Sequence, residues 1–160
     1  MKSYHILDCP NQQKIADSLY GYYVGITANN KPKEFWNHLD RIQIQDYFQI
    51  PNNPCKKWFD SMGLKVRDMS FTIYDEQITT QIHKDEPPVI AKINFPVLNT
   101  KDTYNVWFDD DRTEIDRVEC DRPIVLRSDI LHTVEIGDAA KYPRLQFSFC
   151  FYNEPLQLLA

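Results

Sequence analysis

Residues 144–152 read RLQFSFCFY, and apolar and polar side chains alternate along this stretch with a period of two. Residues 89–97, VIAKINFPV, alternate in the same way. Successive side chains of a β-strand point to opposite sides, so each stretch offers one face to an apolar core and one face with polar groups. We therefore predict two long strands of a sheet that is apolar on one side only. The polar members are Lys92, Asn94, Arg144, Gln146 and Ser148.

The pattern of short strands extends over the second part of the chain. No helical pattern separates these strands, which predicts a mainly β (α+β) fold, a double-stranded β-helix of the jelly-roll or cupin type. The polar strand faces would line its interior. Burial of the Arg144 guanidinium there is costly unless a ligand is expected to pair with it. The eight strand candidates are 66–75, 77–83, 89–97, 104–108, 113–119, 123–127, 131–136 and 144–152.

The chain before residue 64 has a helical pattern instead. We expect one helix that begins near Pro10, a second within the run FWNHLDRI after Lys33, and a third between Pro54 and Gly63. These helices are expected to pack on one sheet of the β-helix. The expectation is a single domain, 1–160, with a mainly helical leader (1–63), a double-stranded β-helix core (64–152) and a C-terminal tail (153–160).

The composition excludes several classes of protein. The four glycines form neither a G-x-G-x-x-G motif nor a Walker phosphate loop, and G-x-S-x-G and H-E-x-x-H do not occur. A net charge of −5 without a basic block gives little reason to expect nucleic acid as the main partner. No stretch is apolar and long enough for a membrane helix, and no signal peptide pattern is found, so a cytoplasmic location is expected. The cysteines, whose spacing fits neither a zinc site nor a small disulfide framework, are expected to be reduced thiols: Cys9, Cys55, Cys120 and Cys150.

One group of residues could carry chemistry. His83-Lys84-Asp85 forms an H-x-D motif at the end of a predicted strand, and His132 and Arg144 follow in later strands. In an extended chain, residues i and i+2 point the same way, so the imidazole and the carboxylate could bind one metal ion. Taken alone, each residue has an ordinary structural interpretation, such as a strand-end histidine, a core histidine or a surface charge. Their order and strand context together favour a metal site of His83, Asp85 and His132.

A second H-x-D motif, His38-Leu39-Asp40, serves as a comparison. It lies in the run FWNHLDRI, which we expect to be helical. Residues i and i+2 are about 200° apart around a helix, so these two side chains could not reach one ion. We therefore predict a structural role for His38.

The residues of the β region also resemble a known superfamily. The runs IHKDEPPVIAKINFPVLNTKDTYNVWF and RPIVLRSDILHTVEIGDAAKYPRLQFSF are similar to segments of Fe(II)- and 2-oxoglutarate-dependent dioxygenases. In particular they resemble small bacterial and phage oxygenases related to the aspartyl/asparaginyl hydroxylases. The resemblance covers roughly residues 64–152 and implies a cytoplasmic enzyme, of the bacterium or of a phage-infected host.

The resemblance implies a role for each residue of the group. His83, Asp85 and His132 would bind Fe(II) and leave three coordination positions open. The co-substrate 2-oxoglutarate would chelate the iron, and Arg144 would pair with its distal carboxylate. O2 would convert 2-oxoglutarate to succinate and CO2, with hydroxylation of a substrate as the usual outcome. Several families have Arg-x-Ser at this site, whereas the triplet here is Arg144-Leu145-Gln146, so Tyr74, Gln146 and Ser148 are alternatives to the missing serine. Other members of the superfamily anchor the co-substrate with a lysine on an earlier strand, and Lys92, which shares a polar strand face with Asn94, ranks second to Arg144 as the anchor.

The resemblance leaves the substrate open between a protein or peptide side chain and a small molecule, and a nucleobase fits the acidic chain less well. Two other functions are kept beside the hydroxylase. One is a cupin-like protein that binds metal without catalysis, and the other is an interaction jelly roll without metal. The chain has no H-x-H motif, which counts against the cupin interpretation.

Overall fold

The computed structural model describes residues 1–32 and 34–160 and consists of three helices and nine strands. The helices are α1 (Gln12–Thr27), α2 (Arg41–Phe48) and α3 (Pro54–Ser61), with a short 3-10 helix at Leu156–Leu159. The strands are β1 (Tyr4–Ile6), β2 (Trp36–His38), β3 (Val66–Tyr74), β4 (Ala91–Leu98), β5 (Thr103–Phe108), β6 (Glu114–Glu119), β7 (Ile124–Arg127), β8 (His132–Ile136) and β9 (Arg144–Phe151).

The strands form two antiparallel sheets. The larger sheet has six strands in the order β1-β7-β4-β9-β3-β2, and the smaller has three in the order β6-β5-β8. The sheets face each other where Trp107 of β5 packs against Ile124 and Leu126 of β7. The ring of Tyr4 from β1 stacks on Trp107 at a centroid distance of 5.3 Å. The polar face of the larger sheet therefore has the smaller sheet opposite to it.

The helices cover the other, apolar face of the larger sheet. Phe59 of α3 meets Phe149 and Phe151 of β9 edge to face, at centroid distances of 4.9 and 5.0 Å. Leu19 of α1 is fully buried in the same cluster. Burial of large aromatic side chains is the main contribution to the stability of such a core. The predicted division of β9 into an apolar and a polar face is thus confirmed.

The helix boundaries follow local sequence signals. The side chain of Asn53 accepts hydrogen bonds from the first backbone N–H groups of α3, and Pro54 occupies its first turn. Asp40 caps α2 in the same way and forms a capping box with Gln43. Gly63, just beyond α3, has a positive φ of 67°, a conformation that glycine adopts without steric cost.

The prediction of a helix over the whole run FWNHLDRI is wrong in its first half. Trp36–His38 forms β2, which pairs with β3 at the edge of the larger sheet, and α2 begins only at Arg41. The apolar spacing of the run suited a helix, but the cap at Asp40 marks where the helix starts, and hydrogen bonds to β3 hold the preceding residues extended. The leader also contains β1, which the helical pattern did not indicate. Lys33, after which this helix was expected, lies outside the described residues.

The predicted strand 77–83 is also wrong, although the other seven candidates agree with observed strands within two residues at each end. In this segment only His83 forms a bridge, with His132 of β8. In the rest of the segment, hydrogen bonds from side chains take the place of backbone strand pairing. The Thr80 hydroxyl, for example, bonds to the backbone of Val134. A β-rich α+β fold is confirmed, and the eight-stranded jelly roll stays a prediction. No helix among the described residues is long and apolar enough to cross a membrane.

The contact of α3 with β9 can be tested by removing one ring. Phe59→Ala should lower the free energy of unfolding by about 3–5 kcal/mol, because Phe59 is 1% exposed and its loss leaves a cavity. Urea denaturation measures the change. Ile42→Ala is the control, since Ile42 is 70% exposed, and its effect should stay within about 0.5 kcal/mol. Equal losses in the two variants would contradict this packing.

Candidate metal centre

Backbone hydrogen bonds bring the H-x-D motif to β8. The N–H of His83 donates to the carbonyl of His132 at 3.0 Å, and the N–H of His132 donates back to His83 at 2.9 Å. The N–H of Asp85 donates to the carbonyl of Ser128 at 2.8 Å, in the segment that leads into β8. The two histidines are thus neighbours across one antiparallel bridge, and the aspartate is fixed beside them.

Both imidazoles are oriented through their Nδ1 atoms. Nδ1 of His83 lies 2.9 Å from the carbonyl oxygen of Gln81, and Nδ1 of His132 lies 2.8 Å from that of Ile130. A carbonyl oxygen only accepts hydrogen bonds, so each Nδ1 carries the proton. In the neutral ring the lone pair is then on Nε2, the atom that a metal ion would bind.

The three candidate ligand atoms converge on one point. Oδ1 of Asp85 lies 3.6 Å from Nε2 of His83 and 3.5 Å from Nε2 of His132. One ligand atom from each of the three residues lies within 4.8 Å of the other two. Ligands about 2.1 Å from an ion lie about 3 Å apart at a right angle, so the two distances from Asp85 to the histidines are within roughly 0.6 Å of those around a metal ion. Two neutral imidazoles and one carboxylate are the donor set of non-haem iron sites.

The charge of Asp85 is strongly stabilised. Burial alone would raise the pKa of its carboxyl, but interactions with the His132 and His83 imidazoles and with the Lys92 ammonium outweigh it and hold the pKa well below the usual range. The nearby Asp85 carboxylate in turn raises the pKa of His83, against a smaller effect of burial. The carboxylate is therefore ionised at neutral pH, as a metal ligand must be.

Arg144, at the start of β9, is fully buried on the polar face of the larger sheet. Its Nη2 donates to Oε1 of Gln146 at 2.9 Å, its Nη1 donates to the hydroxyl of Thr72 at 3.3 Å, and its guanidinium lies 5.4 Å from the ring of Tyr74. Its Nε has no hydrogen-bond partner, and no carboxylate among the described residues lies within salt-bridge distance. A buried guanidinium without a counter-charge is costly, which indicates a site for an anion.

The remaining candidate residues lie along this polar face. Lys92 contacts Asp85, with its Nζ 2.6 Å from Oδ2. Asn94 and Ser148 bond to each other across the strand pair, the Ser148 hydroxyl donating to Oδ1 of Asn94 at 2.7 Å. They lie between the Lys92 end and Arg144. The structure therefore brings together three small groups along one face, and the role of each in co-substrate binding stays a prediction.

Some residues of the site were not singled out in the sequence. Thr72 contacts Arg144, and the Ser128 carbonyl fixes Asp85, yet neither belongs to a motif. The Ser128 hydroxyl is itself buried without a hydrogen-bond partner. Pairing of Thr72 with Gln146 in the β3–β9 register could have identified Thr72, but the register is not readable without the structure.

The second H-x-D motif forms no such group. His38 lies half-exposed on β2 with Nε2 3.9 Å from Oδ1 of Asp68, and the side chain of Asp40 caps α2. The structural role predicted for His38 agrees with this placement, although the reason is a strand end followed by a helix cap rather than a helix. The motif therefore provides a matched control for the first one.

Comparisons with known proteins identify the fold but no family. No protein-family model and no curated protein matches the chain. Among solved structures, a Pseudomonas putida prolyl-4-hydroxylase is similar over 94% of this chain and 92% of its own, with a TM-score of 0.56 and 11% identity. AviO1 from Streptomyces viridochromogenes is similar over 96% of this chain and 92% of its own chain, with a TM-score of 0.55 and 8% identity.

A viral collagen prolyl hydroxylase from Paramecium Bursaria Chlorella virus-1 is also similar. The similarity extends over 94% of this chain and 90% of the viral protein's chain, with a TM-score of 0.53 and 11% identity. The chain thus has the fold of prolyl-4-hydroxylase-like oxygenases. At these identities the likeness concerns the fold alone and gives no support to the specificity of the aspartyl/asparaginyl hydroxylases.

Metal binding can be tested directly. Anaerobic calorimetric titration with Fe(II) or Co(II) should find one strong site per chain. His83→Ala should weaken binding by more than about 100-fold, because loss of a ligand costs more than the 10- to 100-fold typical of a residue behind a ligand. His38→Ala should bind as tightly as the parent. Equal effects of the two substitutions, or none from His83→Ala, would refute the site.

Proposed function

We propose that the protein is an Fe(II)- and 2-oxoglutarate-dependent dioxygenase that hydroxylates its substrate. One observation carries the proposal. Two imidazoles with free Nε2 atoms converge with an ionised carboxylate. A fully buried guanidinium without a carboxylate partner lies in the same interior, on the polar face of the larger sheet. A metal site and an anion site in one interior fit a co-substrate that is both a chelator and an anion.

The donor set supports iron as the metal. Structural zinc sites usually have four protein ligands, whereas this group offers three and leaves the remaining positions open. Imidazole and carboxylate together suit Fe(II) in sites that bind O2 and a second molecule. His83, Asp85 and His132 would hold the ion.

The state of Arg144 supports a dicarboxylic co-substrate. The guanidinium has an unpaired Nε, and its two hydrogen bonds are with neutral oxygens of Thr72 and Gln146. A carboxylate would provide the missing counter-charge and could be bound through two parallel hydrogen bonds. In 2-oxoglutarate the 2-oxo acid end would face the metal, and the distal carboxylate would pair with Arg144.

When bound, Fe(II) supplies the oxidising chemistry in which O2 and 2-oxoglutarate become succinate and CO2, and a substrate C–H group becomes C–OH. The protein residues provide orientation. The carbonyls of Gln81 and Ile130 keep each proton on Nδ1, so both Nε2 atoms remain available as ligands. Trp107, which is fully buried beneath Tyr4, keeps water out of its side of the interior.

The substrate is proposed to be a protein or peptide side chain or a small molecule. Two of the similar structures are prolyl hydroxylases, so proline-containing peptides are the first class to test. Aspartyl and asparaginyl peptides form a second class, because the sequence resembles oxygenases related to the aspartyl/asparaginyl hydroxylases. A non-catalytic metal-binding or interaction protein remains the alternative, and it predicts no turnover of 2-oxoglutarate.

Turnover is the direct test of the proposal. With Fe(II), O2 and a reducing agent, the protein should convert 2-oxoglutarate to succinate and CO2, and a true substrate should accelerate this. Quantifying succinate by mass spectrometry gives the rate. His83→Ala should abolish succinate release and His38→Ala should retain it. Parent-level release from His83→Ala would show that the metal ligands are misassigned, and no release from the parent would favour the non-catalytic alternative.

The role of Arg144 is tested by binding rather than turnover. Arg144→Met should weaken the affinity of the Co(II)-loaded protein for 2-oxoglutarate by about 10- to 100-fold, the usual worth of a hydrogen-bonded charge pair. Isothermal calorimetry measures this affinity. Arg117→Met removes the same charge from an exposed position paired with Glu114, and should leave the affinity unchanged. An unchanged affinity in Arg144→Met would contradict its role as the anchor.

A further inference from the structure

The two oxygens of Asp85 have different partners. Oδ1 faces both histidines, 3.6 Å from His83 Nε2 and 3.5 Å from His132 Nε2. Oδ2 accepts a hydrogen bond from Nζ of Lys92 at 2.6 Å. The Lys92 side chain is 16% exposed, so solvent weakens this ion pair far less than a surface pair.

The sheet holds Lys92 in this position. Lys92 is the second residue of β4, and its backbone pairs with Leu126 of β7. β9 lies on the other side of β4. The strand is therefore interior to the larger sheet, and the alternation that places Asn94 on the polar face places Lys92 there as well. A lysine fixed at its backbone and paired at its tip constrains the carboxylate that it contacts.

We propose that Lys92 is a positioning residue that keeps Asp85 a one-oxygen metal ligand by occupying its second oxygen. The inference rests on the metal site proposed above. Carboxylates bind metal ions through one oxygen or through both. With Oδ2 held by the ammonium, only Oδ1 is available on the side of the two imidazoles.

The constraint matters because the coordination positions are few. An octahedral ion with three protein ligands has three open positions, of which a chelating 2-oxo acid takes two and O2 needs one. A two-oxygen aspartate would occupy one of them. Lys92 therefore preserves the position that distinguishes a site for co-substrate and O2 from a closed metal site.

The same contact argues against Lys92 as the anchor for the distal carboxylate of 2-oxoglutarate. The charge of Lys92 is already compensated by Asp85, whereas that of Arg144 has no acidic partner among the described residues. The two cations thus serve different ends of the co-substrate, Lys92 the metal end and Arg144 the distal end.

Two 2-oxo acids separate these roles. Pyruvate chelates a metal as 2-oxoglutarate does but has no distal carboxylate. In the Co(II)-loaded protein, Lys92→Met should lower the affinity for both acids by about tenfold or more, the range found when a residue behind a metal ligand is removed. The ratio of the two affinities should not change. Arg144→Met should lower the affinity for 2-oxoglutarate alone. Lys92→Arg, which can still donate to Oδ2, should recover most of the affinity.

Lys84→Met is the matched control, because Lys84 precedes Asp85 directly but is half-exposed and lies 3.9 Å from the exposed Asp110. The affinities of Lys84→Met for pyruvate and 2-oxoglutarate should equal those of the parent. Parent-level pyruvate affinity in Lys92→Met would overturn the inference. A loss confined to 2-oxoglutarate in that variant would also overturn it and assign the anchor to Lys92.

A readout without any 2-oxo acid keeps this test separate from the proposed function. Infrared difference spectra of protein labelled with carboxyl-13C aspartate, with minus without Co(II), report the carboxylate that binds the ion. A one-oxygen ligand separates its two C–O stretching bands more widely than a two-oxygen ligand. The parent and Lys92→Arg should show the wide separation and Lys92→Met the narrow one. A wide separation in Lys92→Met would overturn the inference, even if no 2-oxo acid binds the parent and the proposed function fails.

Discussion

A buried guanidinium without a counter-charge is the constraint around which this interior is arranged. Arg144 is fully buried, and its Nε has no partner. Neutral oxygens of Thr72 and Gln146 satisfy only part of its hydrogen-bonding capacity. An interior built for stability alone would place an apolar residue there, because removing a charge from water costs several kcal/mol unless it is paired. A bound anion would supply the missing counter-charge and so explain a buried arginine at this position.

The larger sheet has its stabilising apolar contacts on one face and its candidate functional groups on the other. Its apolar face carries the phenylalanines of β9, against which Phe59 of α3 packs. Its polar face carries the ionic and hydrogen-bonding groups from Lys92 to Arg144 and has the smaller sheet opposite. Because successive residues of one strand supply both faces, the core that stabilises β9 also fixes the position of Arg144. The metal ligands come from elsewhere, through the bridge between His83 and His132 and the contact of Asp85 with Ser128.

Much of this arrangement was predictable from the sequence, and the exceptions have physical reasons. The period of two in residues 144–152 predicted β9 and its two faces, and the H-x-D motif with His132 predicted a group that the structure does bring together. The β2 strand was mistaken for a helix because three residues at a sheet edge depend on pairing with β3 rather than on their own pattern. The contact between Lys92 and Asp85 could not be predicted, since it depends on the path of the chain between them.

The proposed function requires that one interior bind Fe(II) and a 2-oxo acid together. Anaerobic titration of the Fe(II)-loaded protein with 2-oxoglutarate, followed by visible absorption, measures this joint binding. Chelation of Fe(II) by the 2-oxo acid gives a weak charge-transfer band. We expect the band to saturate at one 2-oxoglutarate per iron in the parent and to be lost in His83→Ala. Absence of the band in the parent at saturating Fe(II) and 2-oxoglutarate would refute a shared site for iron and co-substrate.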